Sequence, residues 1–157
     1  MVFVNINSNA KDFNTSIKPL EDRWSKFITK DDQKLIYHAK NFGNFEMSVN
    51  SNWKFAIENY CESYHLPSIH PELNRVSNIE DHYHIEDESM TFSGQGSMKY
   101  SQQFDGNKKF STFPNWPNHL YENSEYVSLF PNLMMGIHSE INMVLCTINH
   151  VIYNCSL

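Results

Sequence analysis

The chain has 157 residues, 40 % of them apolar and 19 % charged. That is one ordinary domain, with enough apolar material for a core and too little charge for a disordered segment. A net charge of −6 without a basic patch excludes nucleic acid as an expected partner, and no apolar run approaches the roughly 20 residues of a membrane span. In chain order, "MVFVNI" alternates as a short strand does, and its decapeptide lacks the basic start and long apolar stretch of a secretory signal. A polar stretch runs from Asn7 to Asp22, punctuated by Pro19. "IYHAKNFGNFEMSVNSNW" reads as strand, turn, strand, with Gly43 and Asn44 at the turn.

Asn50 to Asn52 offers helix N-caps. From there Trp53, Ala56, Ile57, Tyr60, Cys61 and Tyr64 recur on one helical stripe. Lys54, Glu58, Glu62 and His65 fall on the opposite arc, with Asn59 at its edge. Proline disfavours helical geometry in the residue before it, so Leu66 should leave the helix, which would then end near His65. A polar linker follows Pro71, then a strand-like "MTFSGQGSMKYSQQF" whose bare G-x-G says little by itself. "FPNWPNHLYENS" is proline-rich loop. The end reads as antiparallel strands with a turn near Ser139 to Asn142. One main helix among antiparallel strands indicates an α+β fold.

The three cysteines, Cys61, Cys146 and Cys155, are odd in number and far apart, as reduced thiols of a cytoplasm would be. No Cys-x-x-Cys or Cys-x-His pair is present, so the chain holds no zinc ribbon and no iron–sulfur cluster of its own. The chemistry centres on "ENYCESYHLPSIHPEL". Two imidazoles and one carboxylate can occupy one face of an octahedral iron(II), leaving the other face open. His65 on a final helical turn and His70 beyond Pro67 can converge if the helix breaks between them, and Pro71 stiffens His70 further. The plainer reading stays open: two histidines near a helix end often cap carbonyls or face solvent, and Glu58 with Glu62 can be a solvated face. His82 and His84 lie in an acidic linker, where solvent exposure competes with a second metal site. His38, His119, His138 and His150 stand alone and read as structural or surface residues.

The longer string "NWKFAIENYCESYHLPSIHPEL" resembles the catalytic-domain helix of Rieske non-haem iron oxygenase α subunits, matching at Asn52, Trp53, Lys54, Glu58, Asn59, Glu62, Tyr64, His65 and His70. "VFVNI" resembles the exit from the family's Rieske domain, and "LFPNLMMGIHSE" a later pocket-lining strand. The resemblance therefore runs to about Leu145. It implies a helix-grip α+β domain, a curved antiparallel sheet over helices, present here as an internal piece of the catalytic domain in residues 1–157. The Rieske domain and the C-terminal part, with its aspartate ligand, would lie outside.

The resemblance implies that His65 and His70 ligate a mononuclear Fe(II). It places Glu62 at the acid that bridges iron site and Rieske cluster, and Asn59 close to the iron without necessarily binding it. The implied parent is an oxidoreductase that hydroxylates or demethylates a small molecule with O2. Its electrons come from NAD(P)H through a reductase and the [2Fe–2S] cluster of a neighbouring subunit in a homotrimer. This chain alone is expected to be inactive. Glu62 and the "HPEL" context look closer to the choline, carnitine and betaine monooxygenase branch than to ring dioxygenases. Phe113, Trp116 and Tyr121 are candidates to hold such a cation, to hold an aromatic ring, or simply to pack the core. The alternative function is a non-catalytic ligand-binding or remnant domain of the same fold.

Overall fold

A computed structural model describes residues 7–36, 49–100, 111–139 and the backbone of 145–147. The expected strand at residues 1–6, the strand pair around Gly43, and the tail after residue 147 lie outside the described residues, as do His38 and His150. Among the described residues the helices are α1 (Phe13–Trp24), α2 (Lys30–Gln33), α3 (Trp53–Cys61), α4 (Leu66–Ile69) and α5 (Pro71–Val76). The strands are β1 (His82–Glu86), β2 (Phe92–Ser97), β3 (Ser124–Leu129), β4 (Leu133–His138) and β5 (Leu145–Thr147). They form one antiparallel sheet in sequential order, β1-β2-β3-β4-β5. The α+β class is as expected, and β4 pairs antiparallel with β5, while the turn expected near Ser139 to Asn142 lies beyond Ser139 outside the described residues.

The sheet has two unlike faces, because successive strand residues point to opposite sides. Ile85, Phe92, Val127, Leu129, Leu133, Met135 and Ile137 share one face and pack with Leu20, Trp24, Phe27, Ile28, Phe113 and Trp116 into the apolar core. Their strand neighbours on the other face are mostly polar. The cross-strand rows His84–Gln95–Tyr126–Gly136 and His82–Ser97–Ser124–His138 run along it, and α3 lies against this side. The two glycines of the G-x-G serve the core face. A Cβ on Gly94 would lie 2.0 Å from the Tyr126 carbonyl oxygen, and one on Gly96 would lie 2.3 Å from the Tyr83 ring. The motif is steric, not a phosphate loop.

The polar stretch from Asn7 to Asp22 is instead mostly α1, with Pro19 inside it. Asp12 caps its start, accepting from the amides of Asn14 and Thr15 at 2.9 and 3.3 Å. Proline costs the helix one hydrogen bond, but Ile17, Leu20 and Trp24 recur at helical spacing and face the core. A buried ion cluster adds a second anchor. Glu125, 0 % exposed, accepts from Arg23 Nε and Nη2 at 2.9 and 3.0 Å, Trp24 Nε1 at 3.0 Å, Lys26 Nζ at 2.9 Å and the Tyr83 hydroxyl at 3.0 Å. These long-range partners overrule local polarity.

The supposed linker after Pro71 is also ordered, as α5, a 3-10 turn at Ile79–Asp81 and β1. Pro71 starts α5 at a position where a missing amide costs nothing. Of the lone histidines, His119 is exposed on a second 3-10 turn, and His138 is buried on β4, with its ring 5.5 Å from that of Tyr100.

Burial pushes the pKa of His138 down from 6.5 to about 4. The unfolded chain protonates at the higher value, so this contribution is complete above pH 6.5 and is lost as pH falls toward 4. At about 1.4 kcal/mol per pKa unit the loss is on the order of 3 kcal/mol. Urea midpoints at pH 7.5 and 4.5 should differ more for the wild type than for His138→Gln. Equal acid sensitivity of the two would contradict this assignment.

Candidate metal centre

The site is built where α3 stops. Asn52 caps the start of α3, accepting from the Lys54 amide at 3.1 Å, and Trp53, Ile57, Tyr60 and Cys61 are half-buried toward the sheet. The helix ends at Cys61, a full turn before His65, since Glu62 is already extended at φ −120° and ψ 161°. Pro67 does not break a helix either. It sits in the first turn of α4, with Leu66 as that helix's first residue. A proline there lacks only an amide that would have no intrahelical partner, so the expected break at Leu66 is replaced by a start.

The single turn of α4 sets the spacing of the two histidines. The Ile69 amide donates to the His65 carbonyl at 2.8 Å, and the His70 amide to the Leu66 carbonyl at 3.0 Å. His65 precedes that turn and His70 closes it. Their ring centroids stand 5.3 Å apart and nearly perpendicular, at 79°. With metal–nitrogen bonds of about 2.1 Å, two imidazoles on adjacent positions of one ion have centroids roughly 4.5–5.5 Å apart. The observed pair fits a shared ion.

The Glu62 carboxylate turns back over the bend. One oxygen accepts from His65 Nδ1, and the other from the backbone amides of Tyr64 and His65, the latter at 3.3 Å. Burial works to raise the Glu62 pKa, but these donors outweigh it and hold the carboxyl below its usual range. An ionised carboxylate on Nδ1 fixes the proton there and leaves the lone pair on Nε2, the arrangement that metal-ligating histidines use. The Asn59 amide nitrogen lies 3.4 Å from Nδ1 and 3.5 Å from Nε2, beside the ring. The four sequence candidates, Asn59, Glu62, His65 and His70, are thus brought together.

Among the described residues no group of three histidine, cysteine or acidic side chains is placed to hold a metal. The spacing of His65 and His70 is that of two ligands of one divalent ion. His82 and His84 are strand residues, not linker residues. His82 is half-buried between Ser77 and Gln95, and His84 meets the Tyr64 hydroxyl at 3.3 Å.

The aromatic candidates resolve differently. Phe113 and Trp116 are buried, and Trp116 stacks on Phe27 with centroids 5.0 Å apart, so these two pack the core. Tyr121 is exposed. An open cavity of about 520 Å³ lies between α3 and the hairpin ends, lined by Trp53, Ile57, Met90, Phe92, Phe130 and Pro131 together with Glu58 and Glu86. None of the four site residues lines it. Gln95 and Ser77 give no signal in the sequence, and His82 reads there only as a linker residue, because their link to the end of α3 crosses the sheet.

Just beyond the end of α3, two neighbouring imidazoles, one of them held by a carboxylate, form the candidate site. A protein-family model for the ring hydroxylating alpha subunit (catalytic domain) matches residues 36–148. The chain belongs to that family, one of oxidoreductases with a mononuclear iron in this domain. No curated protein and no solved structure matches it. Among the described residues no helix is long and apolar enough to cross a membrane.

Proposed function

We propose that this chain provides two ligands, His65 and His70, to the mononuclear iron of a Rieske-type oxygenase, within a helix-grip domain whose sheet closes over α3. The observation that carries the reading is the 5.3 Å convergence of the two rings, with Glu62 holding the proton on Nδ1 of His65. Iron(II) held there supplies O2 activation for hydroxylation or demethylation of a small molecule, drawing on NAD(P)H through a reductase and a [2Fe–2S] cluster. His65 and His70 bind through nitrogen. Glu62 keeps His65 in one tautomer and, as the proposed bridge, reaches toward the cluster-bearing domain of a neighbouring subunit in a homotrimer. Asn59 flanks the ring without ligating. The remaining carboxylate ligand and the cluster come from polypeptide beyond the residues described here, and the proposed compartment is the cytoplasm. With Phe113 and Trp116 in the core, the quaternary-amine reading keeps only Glu62 and the "HPEL" context as support, so the substrate is proposed only as a small molecule.

In the assembled oxygenase, His65→Ala and His70→Ala should each empty the mononuclear site and leave the cluster intact. Iron and acid-labile sulfide analysis measures both. Full mononuclear iron in both variants would overturn the assignment.

A further inference from the structure

We infer that Gln95 is a positioning residue for this site: its side-chain amide fixes where α3 ends, and so where Glu62 and the His65 ring stand. The inference rests on the metal-binding reading of His65 and His70. Gln95 is buried in β2, on the polar face that α3 covers. Its Nε2 donates to the carbonyls of Tyr60 at 3.0 Å and Glu62 at 2.7 Å. These belong to the last turn of α3 and its cap, where carbonyls have no intrahelical donor. One side chain from another element satisfies both.

The orientation of that amide is itself determined. Oε1 of Gln95 lies 2.9 Å from His82 Nδ1, and His82 Nε2 lies 2.8 Å from the Ser77 hydroxyl. Turning the amide over would face its oxygen toward two carbonyl oxygens, so the nitrogen must point to α3 and the oxygen to His82. His82 then donates from Nδ1, and its Nε2 faces Ser77, with the hydroxyl at 2.8 Å and the carbonyl oxygen at 3.3 Å. The chain of hydrogen bonds runs from the end of α5 through β1 and β2 to the bend at Glu62.

That bend governs the site. In a helix continued through Glu62, its carbonyl would bond to the Leu66 amide four residues on. Here the Leu66 amide bonds to Ser63 instead, at 3.0 Å, and Gln95 holds the Glu62 carbonyl. The extended backbone at Glu62 then sends its carboxylate back onto the Tyr64 and His65 amides and onto Nδ1 of His65. Remove the amide of Gln95 and the bend loses its external anchor, so the tautomer and placement of His65 are no longer dictated.

The test uses this chain with cobalt(II) as the probe, titrated by absorbance, alongside metal-free 15N-histidine NMR of the His65 ring. Gln95→Met keeps size and removes both donor and acceptor. Gln95→Glu keeps the acceptor for His82 but turns an oxygen on the two carbonyls. Both should weaken cobalt binding about ten-fold or more, and both should shift the His65 ring signals away from a pure Nδ1–H tautomer while the circular dichroism stays that of the wild type. Wild-type affinity with unchanged ring signals in Gln95→Met would overturn the inference, and so would unfolding of both variants, which would make Gln95 a general fold residue. If His65→Ala binds cobalt as tightly as the wild type, the metal reading fails instead, and the ring signals still decide the role of Gln95.

Discussion

Glu125→Ala should cost the domain about 3–5 kcal/mol, the range expected when one partner is removed from a buried charge cluster. Against a typical total of about 5–15 kcal/mol, that leaves little. The carboxylate is inaccessible to solvent and accepts from side chains of α1, the segment just after it, and β1. Lys26 is 45 % exposed and can return to water, so it adds little. Arg23 is 27 % exposed, and the Trp24 and Tyr83 donors cannot re-solvate without opening the layer between α1 and the sheet. Glu125→Gln, which keeps one acceptor oxygen, should cost less than the alanine. Urea midpoints with unchanged slope measure both. A loss below about 1 kcal/mol for the alanine would mean that α1 is held by Leu20, Trp24 and the core alone.

Glu62→Gln, made in the assembled oxygenase, should slow product formation about 10- to 100-fold with both metal centres still loaded. The glutamine keeps the volume and one oxygen acceptor for His65 Nδ1. It loses the negative charge and offers an NH2 where the Tyr64 and His65 amides already point. His65 should remain able to ligate, since its lone pair on Nε2 faces away from residue 62. On the proposed bridging role, the loss falls on coupling between the two metals, for which the acid must accept at each end. Metal analysis together with turnover separates the outcomes. Loss of the iron would make Glu62 a structural support of the site, and near-normal turnover would remove it from the mechanism.

What was legible in the sequence was local. The stripe from Trp53 to Cys61 and the Asn52 cap announced α3, the chain's end announced antiparallel strands, and the spacing of Asn59, Glu62, His65 and His70 announced a cluster that the fold brings together. What was not legible depended on partners far along the chain. α1 read as a polar stretch because its anchor, Glu125, lies about a hundred residues later. α3 was expected to reach His65 because the donor that ends it, Gln95, sits on a strand. Pro67 was read as a breaker although it occupies a position where a helix tolerates it. The acidic composition of residues 78–88 masked β1, whose pairing with β2 outweighs its polarity.

The alternation of the strands has a consequence for how such a domain can change over generations. In β2, β3 and β4 the residues that hold the core and those that face α3 are interleaved one by one, on opposite sides of the same backbone. Inheritance can therefore edit Gln95 or Tyr126 and leave Phe92, Val127 and Met135 untouched. The packing of the core and the surface offered to α3 are written on alternate letters of the same short words, so a lineage can alter one side of the sheet while the residues of the other stay in place.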